Sequence, residues 1–276
     1  MRPVRSAVVI VALAGVSLAA CGGGDGGGGG AGAGAAATNR PEALVAEAKR
    51  GFARLRSVHL DMRREEQGTS QVGRMSGVVF ASGQADLTVE QEGTTYRTVV
   101  LGRDVYIKAG VAFWRAGKRG LPKTIARRFA GRWIHETGRP AANVKKEFSD
   151  LRPSKLSECL FGATGTLTRL PDARIGGVRA IVFKDGGDKP AAAVGRYALT
   201  ASSPTLPLRI AQYGERRNSL TPAGTPCGGV GGYDPANTTL TLGRFNATPA
   251  LRAPRGSVTP EEAAGDLAAP ARGQPA

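Results

Sequence analysis

The sequence predicts an α+β fold, a single curved antiparallel sheet with helices packed on its concave face. Three features predict it. Five short runs with alternating apolar residues follow one another between residues 58 and 108, separated by glycine-containing turns; a parallel sheet would need helical crossovers at those places. From residue 113 to residue 151 the apolar spacing changes to threes and fours, the period of short helices. The strand pattern then resumes as far as residue 245, and helices lying between two strand sets have a sheet face to cover.

The chain opens with a leader. Arg2 and Arg5 form a positive start, and Ala7 to Ala20 is apolar apart from Gly15 and Ser17. That run is too short for a stable bilayer span and has the length of a signal-peptide core. Its end, Leu18-Ala19-Ala20-Cys21, looks like a bacterial lipobox. The reading is a signal peptide over 1–20, cleaved before Cys21, with a diacylglyceryl group on the Cys21 sulfur; the alternative is an ordinary signal peptide followed by a free cysteine. One acyl chain holds a protein to a membrane only marginally, whereas two or three anchor it stably, so the mature chain is expected to be tethered to the extracytoplasmic face of the cell membrane. Residues 21–39 then form a Gly/Ala-rich linker, and Gly22 to Ala37 reach about 20 to 25 Å as flexible coil. A phosphate-binding loop needs a preceding strand and a following Gly-Lys-Ser/Thr, and neither is here.

A folded domain is expected over residues 40–246, long enough for one sizeable core. Asn39 and Glu42 can cap a first helix, with Pro41 tolerated in its first turn and Leu44, Ala48, Phe52 and Leu55 on one apolar face. Val58, Leu60 and Met62 then alternate with His59, Asp61 and Arg63, the pattern of a half-buried strand. Arg74 to Ala81, Gln84 to Gln91, Thr94 to Leu101 and Asp104 to Lys108 continue the meander. Short helices are expected within "AFWRA", "LPKTIARRFAGRW" and "AANVKKEFSDL". Gly165 to Leu170, Val178 to Lys184, Val194 to Ala201, Leu206 to Tyr213 and Thr239 to Phe245 supply the second strand set. Residues 247–276 are rich in Pro, Ala and Gly, lack apolar periodicity and read as a disordered tail.

Composition narrows the partners. The net charge is +16 and the pI is near 10.6, so anionic partners are favoured. In an extracytoplasmic setting these are acidic headgroups or wall polymers and not nucleic acid. An Arg- and Ala-rich composition also follows from GC-rich coding alone. No block of five or six consecutive cations occurs. Of the three cysteines, lipidation would use Cys21. Cys159 and Cys227 then remain in an oxidising compartment, where a disulfide between them would remove about 4 kcal/mol of unfolded-state freedom; two free thiols or a metal pair are the alternatives.

The lipobox and linker, the helix leading into "RSVHLDM", the segment "GRDVYIKAGVAFWRA…FAGRWIHE" and the segment "GGVRAIVFKD…RYALTASSPTLPLRIAQYG" resemble the actinobacterial LppX/LprA/LprF/LprG lipoproteins and, more distantly, the LolA/LolB carriers. The resemblance covers most of 40–246. It implies an unclosed half-barrel with a helical lid over an apolar cavity, a lipid or glycolipid ligand, and a part in binding or shuttling such ligands with envelope transport partners. Leu60, Met62, Leu87, Val89, Val105 and Ile107 would line that cavity, and Phe113, Trp114 and Phe129 would lid it. The same side chains can instead fill a solid core, leaving a structural or protein-interaction module that docks to the cell wall or to a partner.

Catalytic signatures are missing from the sequence. His59 and His135 lie outside any Cys/His/Asp cluster with metal spacing, and no G-x-S-x-G, H-E-x-x-H or S-x-x-K motif occurs. Glu65-Glu66 and Asp185 with Asp188 sit beside turns and read as loop-solvating carboxylates. The expectation is a protein that is not an enzyme, with no cofactor and no metal.

Overall fold

The computed structural model describes residues 40–66, 72–116, 120–161, 164–188, 194–213 and 236–265. The leader, Cys21, the linker and Cys227 lie outside them, as does the end of the tail from residue 266.

The chain begins with α1 (Pro41–Ala53) and runs through β1 (Ser57–Glu66), β2 (Val72–Phe80), β3 (Ala85–Gln91), β4 (Thr94–Leu101) and β5 (Asp104–Ala109). Short helices α2 (Val111–Ala116) and α3 (Lys123–Phe129) follow, then β6 (Trp133–Glu136), α4 (Gly138–Phe148), a 3-10 turn (Ser149–Leu151) and α5 (Pro153–Leu160). The second strand set is β7 (Leu167–Ile175), β8 (Val178–Asp185), β9 (Gly195–Thr200), β10 (Pro207–Gln212) and β11 (Ala236–Gly243), and α6 (Pro260–Gly265) closes the described chain.

All these strands form one curved, unclosed, eleven-stranded antiparallel sheet in the order β6-β5-β4-β3-β2-β1-β11-β10-β9-β8-β7. Each half is a meander, because tight turns put sequence neighbours side by side. The halves join where the last strand returns to the first, with Leu60 opposite Leu242 and Met62 opposite Leu240. Gly77 shows how close the strands come. At φ +146° a Cβ there would run into the carbonyl of Asp86 on β3, so only glycine fits.

One face of the sheet carries the apolar residues of both halves: Val58, Leu60, Leu87, Val100, Ile107, Phe183, Leu199, Ile210 and Leu242 form one buried cluster with the helices. On it α1 packs over β7 and β10 and against α5, α2 sits on β4, α4 on β5 and α6 on β6. Leu44, Val45, Ala48 and Phe52 are the buried face of α1, as the spacing of three and four requires.

Several expectations change. The helix α1 starts at Pro41 behind Arg40, which makes no side-chain cap; Asn39, expected to cap it with Glu42, lies outside the described residues. Trp133, expected to end a helical stretch, instead starts the edge strand β6. Residues 247–265 are ordered and are not part of a disordered tail. Val258 N donates to Trp133 O at 3.0 Å and Val258 O accepts from His135 N at 2.8 Å, which covers the open edge of β6. Thr259 and Glu262 then form a reciprocal capping box at 2.8 and 3.1 Å, and Ala263 of the helix they start is fully buried. Composition hid this order because it comes from one strand edge and one helix contact, not from a periodic pattern.

Candidate functional site

Alternation along each strand decides what the helix-covered face presents. Leu60 and Met62 on β1, Leu87 and Val89 on β3, and Val105 and Ile107 on β5 all point to it, because the members of each pair lie two positions apart. Five of the six are buried; Met62 is half-buried and packs against the cluster. Over these strands lie the short helices. Trp114 is 1% exposed, Phe129 is buried and Phe113 is half-buried. Their rings form a continuous run: Tyr96 to Phe113 at 4.7 Å, Phe113 edge-on to Trp114 at 5.1 Å, and Trp114 edge-on to Phe129 at 5.2 Å. The structure thus brings the nine sequence-derived residues into one apolar assembly.

Sequence reading missed three members of this face. Phe183 and Tyr197 extend it into the second half of the sheet, where Tyr197 stacks on Phe161 at 5.8 Å. The Tyr197 hydroxyl donates to Leu160 O at 3.4 Å, and burial, with the nearby Asp185 charge, pushes its pKa well above the tyrosine range. Thr98 is the third. It stands on β4 between Leu87 and Ile107, fully buried, and its hydroxyl has no hydrogen-bond partner. Leaving such a group dry costs about 1–3 kcal/mol. The signal in the sequence was the phase of "TTYRTVV", which places Thr98 on the same face as Tyr96 and Val100.

The carboxylates are sorted by the fold. Asp185 is fully buried, not a loop-solvating group: it accepts hydrogen bonds from Gly165 N at 3.0 Å and Gly187 N at 2.8 Å. Asp188 accepts from Thr166 N at 2.5 Å and Thr166 Oγ1 at 2.6 Å. The pair clasps the start of β7 to the end of β8. A Cβ at Gly165 would lie 2.7 Å from Asp185 Oδ1, so glycine is needed for the clasp to close. His59 faces away from Val58 and Leu60, while His135 stacks on Tyr106 at 4.6 Å and bonds Asp104 at 2.9 Å. Glu65 pairs with Arg63 at 2.5 Å. Among the described residues no three His, Cys, Asp or Glu side chains gather as a metal site would require. No described helix is long and apolar enough to cross a membrane.

Cys159 lies in α5. Its expected partner Cys227 is outside the described residues.

Among solved structures, the chain is similar to the lipoprotein LppX of Mycobacterium tuberculosis, at 14% identity over 77% of this chain and 100% of that one, with a TM-score of 0.43. It is similar to LprF of Mycobacterium bovis at 11% identity over 77% and 96% of the two chains, TM-score 0.43. A LolA superfamily protein from Nitrosomonas europaea matches at 11% identity over 76% and 94%, TM-score 0.24. No family model and no curated protein matches the chain.

Proposed function

We propose that the chain is a lipid-anchored extracytoplasmic lipoprotein that holds an acyl chain of a lipid or glycolipid between its curved sheet and the short helices over it, without catalysing a reaction. The observation that carries this is a sheet of eleven strands, left unclosed, whose apolar face is covered by short separate helices; α2 has six residues and α3 seven. Helices this short are held by their packing and not by their own propensity, so a ligand can displace them at modest cost. Phe113 and Met62, only half-buried at the border of the cluster, mark where an apolar chain would enter. In this reading Leu60, Met62, Leu87, Val89, Val105 and Ile107 form the floor, and Phe113, Trp114 and Phe129 the lid. Cys21 carries the membrane anchor, and a Cys159–Cys227 disulfide ties α5 to the segment before β11.

A second reading has its own observation. Leu60, Leu87, Val105, Trp114 and Phe129 already touch and exclude water, as a solid core does, which favours an anchored interaction module whose basic exterior docks to the cell wall or a partner. Native mass spectrometry with lipid extraction separates the two, on the mature chain with Cys21→Ser purified from a lipid-rich host. Stoichiometric co-purifying acyl species establish the lipid reading. A bare mass that stays unchanged after incubation with envelope lipids overturns it in favour of the module.

A further inference from the structure

The outer face of the sheet carries like charges opposite one another. Arg63 faces Arg74, Arg97 faces Lys108, and Lys184 faces Arg196 in the cross-strand register. Such pairs repel. The Arg97–Lys108 pair borders a groove of about 330 Å³. Thr88, in register with Arg97, and Thr95 line the same groove together with Tyr96, Ala109, Gly110 and Gly131, and a Cβ at either glycine would still meet nothing within 4 Å.

Arg97 is held in place before any ligand arrives. Arg97 Nε and one terminal nitrogen donate to the two carboxylate oxygens of Asp86 at 2.8 and 2.7 Å, fixing the guanidinium plane. A guanidinium has five N–H donors, so others stay available. The Arg97 guanidinium carbon lies 5.6 Å and Lys108 Nζ 6.0 Å from the centre of the Trp133 ring, and the indole draws both toward one place. Asp86 is committed to Arg97, and Glu90, which faces Thr95, is not part of the lining. A fixed guanidinium, an ammonium and two hydroxyls around an open hollow match a tetrahedral oxyanion, whose charge would also relieve the repulsion between the pair.

We infer that the groove between Arg97 and Lys108 binds a phosphate ester, with Thr88 and Thr95 donating to its oxygens. The site lies on the face opposite the helix-covered one and does not depend on the lipid reading. Both a phospholipid headgroup and a free sugar phosphate offer this chemistry.

The test is calorimetric titration of the mature chain (Cys21→Ser) with glycerol 3-phosphate at low salt, alongside Lys108→Gln, Arg97→Gln and Lys184→Gln. All three sites are exposed, and thermal melts confirm that the variants fold. The expected result is saturable binding, weakened at least about tenfold by Lys108→Gln and by Arg97→Gln and unchanged by Lys184→Gln, which removes a cation from a pair outside this groove. Vesicles with and without phosphatidylglycerol distinguish the sources: the same loss on the anionic vesicles assigns the groove to lipid headgroups, and binding of the free ester alone assigns it to soluble or polymeric phosphates. Absence of saturation with glycerol 3-phosphate, or equal weakening by Lys184→Gln, would overturn the inference, the latter in favour of diffuse charge attraction.

Discussion

On β1 the helix-covered face carries Val58, Leu60 and Met62 while the outer face carries His59, Asp61 and Arg63; on β4 Tyr96, Thr98 and Val100 lie inward and Thr95, Arg97 and Val99 outward. The same strands therefore obey two different balances. Inward, every side chain is fixed by neighbours on both sheet and helices, and stability comes from apolar area removed from water. Outward, neighbours meet only across the sheet, each charged pair contributes little, and repulsive pairs such as Lys184–Arg196 are tolerated. The comparison teaches that the inner face sets how stable the fold is, whereas the outer face has room for recognition because its substitutions cost so little.

The strongest way to break this contrast is Trp114→Ala, which removes the centre of the aromatic run. A loss of about 3–5 kcal/mol is expected from the urea midpoint. A loss below about 1 kcal/mol would show that α2 is not part of the packed layer. Thr98→Val tests the inner face from the opposite side. Replacing a dry hydroxyl with a methyl of the same shape should raise stability by about 1–2 kcal/mol. No gain would mean that a water or a ligand's polar group satisfies Thr98.

Tyr197 sharpens the same face through pH. Its folded pKa is raised, so its contribution is complete below the unfolded value of about 10 and declines as pH rises above it, by up to about 1.4 kcal/mol per pH unit. Urea unfolding between pH 9 and 11 should show this slope, and Tyr197→Phe should flatten it. A slope unchanged in the variant would place the titration elsewhere, with Tyr106, whose pKa is raised by burial and then by Asp104, as the first candidate. The smallest effect belongs to the outer face. Lys184→Glu turns a repulsive pair with Arg196 into an attractive one and should add about 0.2–1 kcal/mol at low salt. The gain should shrink as salt screens it.

How much of this was legible follows the range of the forces involved. The period of two in "VHLDM" and "TTYRTVV" was enough to locate β1 and β4 and to say which residues share a face. The floor residues Leu60, Leu87 and Ile107 could be named together for that reason. β6 was not legible, because four residues after a helical run carry no period of their own. The depth of Asp185 was hidden as well, since a carboxylate beside glycines reads as a loop until Gly165 and Gly187 turn their N–H groups onto it.

The sequence by itself determined the α+β class, the two meanders, the helix-rich segment between them and the alternation of each strand, because backbone sterics and side-chain period act between near neighbours. Tertiary structure alone decided that β11 pairs with β1 to merge the meanders into one sheet, that Val258 pairs along the edge of β6, and that Arg97 and Lys108 border one groove beside the Trp133 ring. Each of these joins residues far apart in the chain, where pairing depends on which surfaces remain unburied once the local elements have formed.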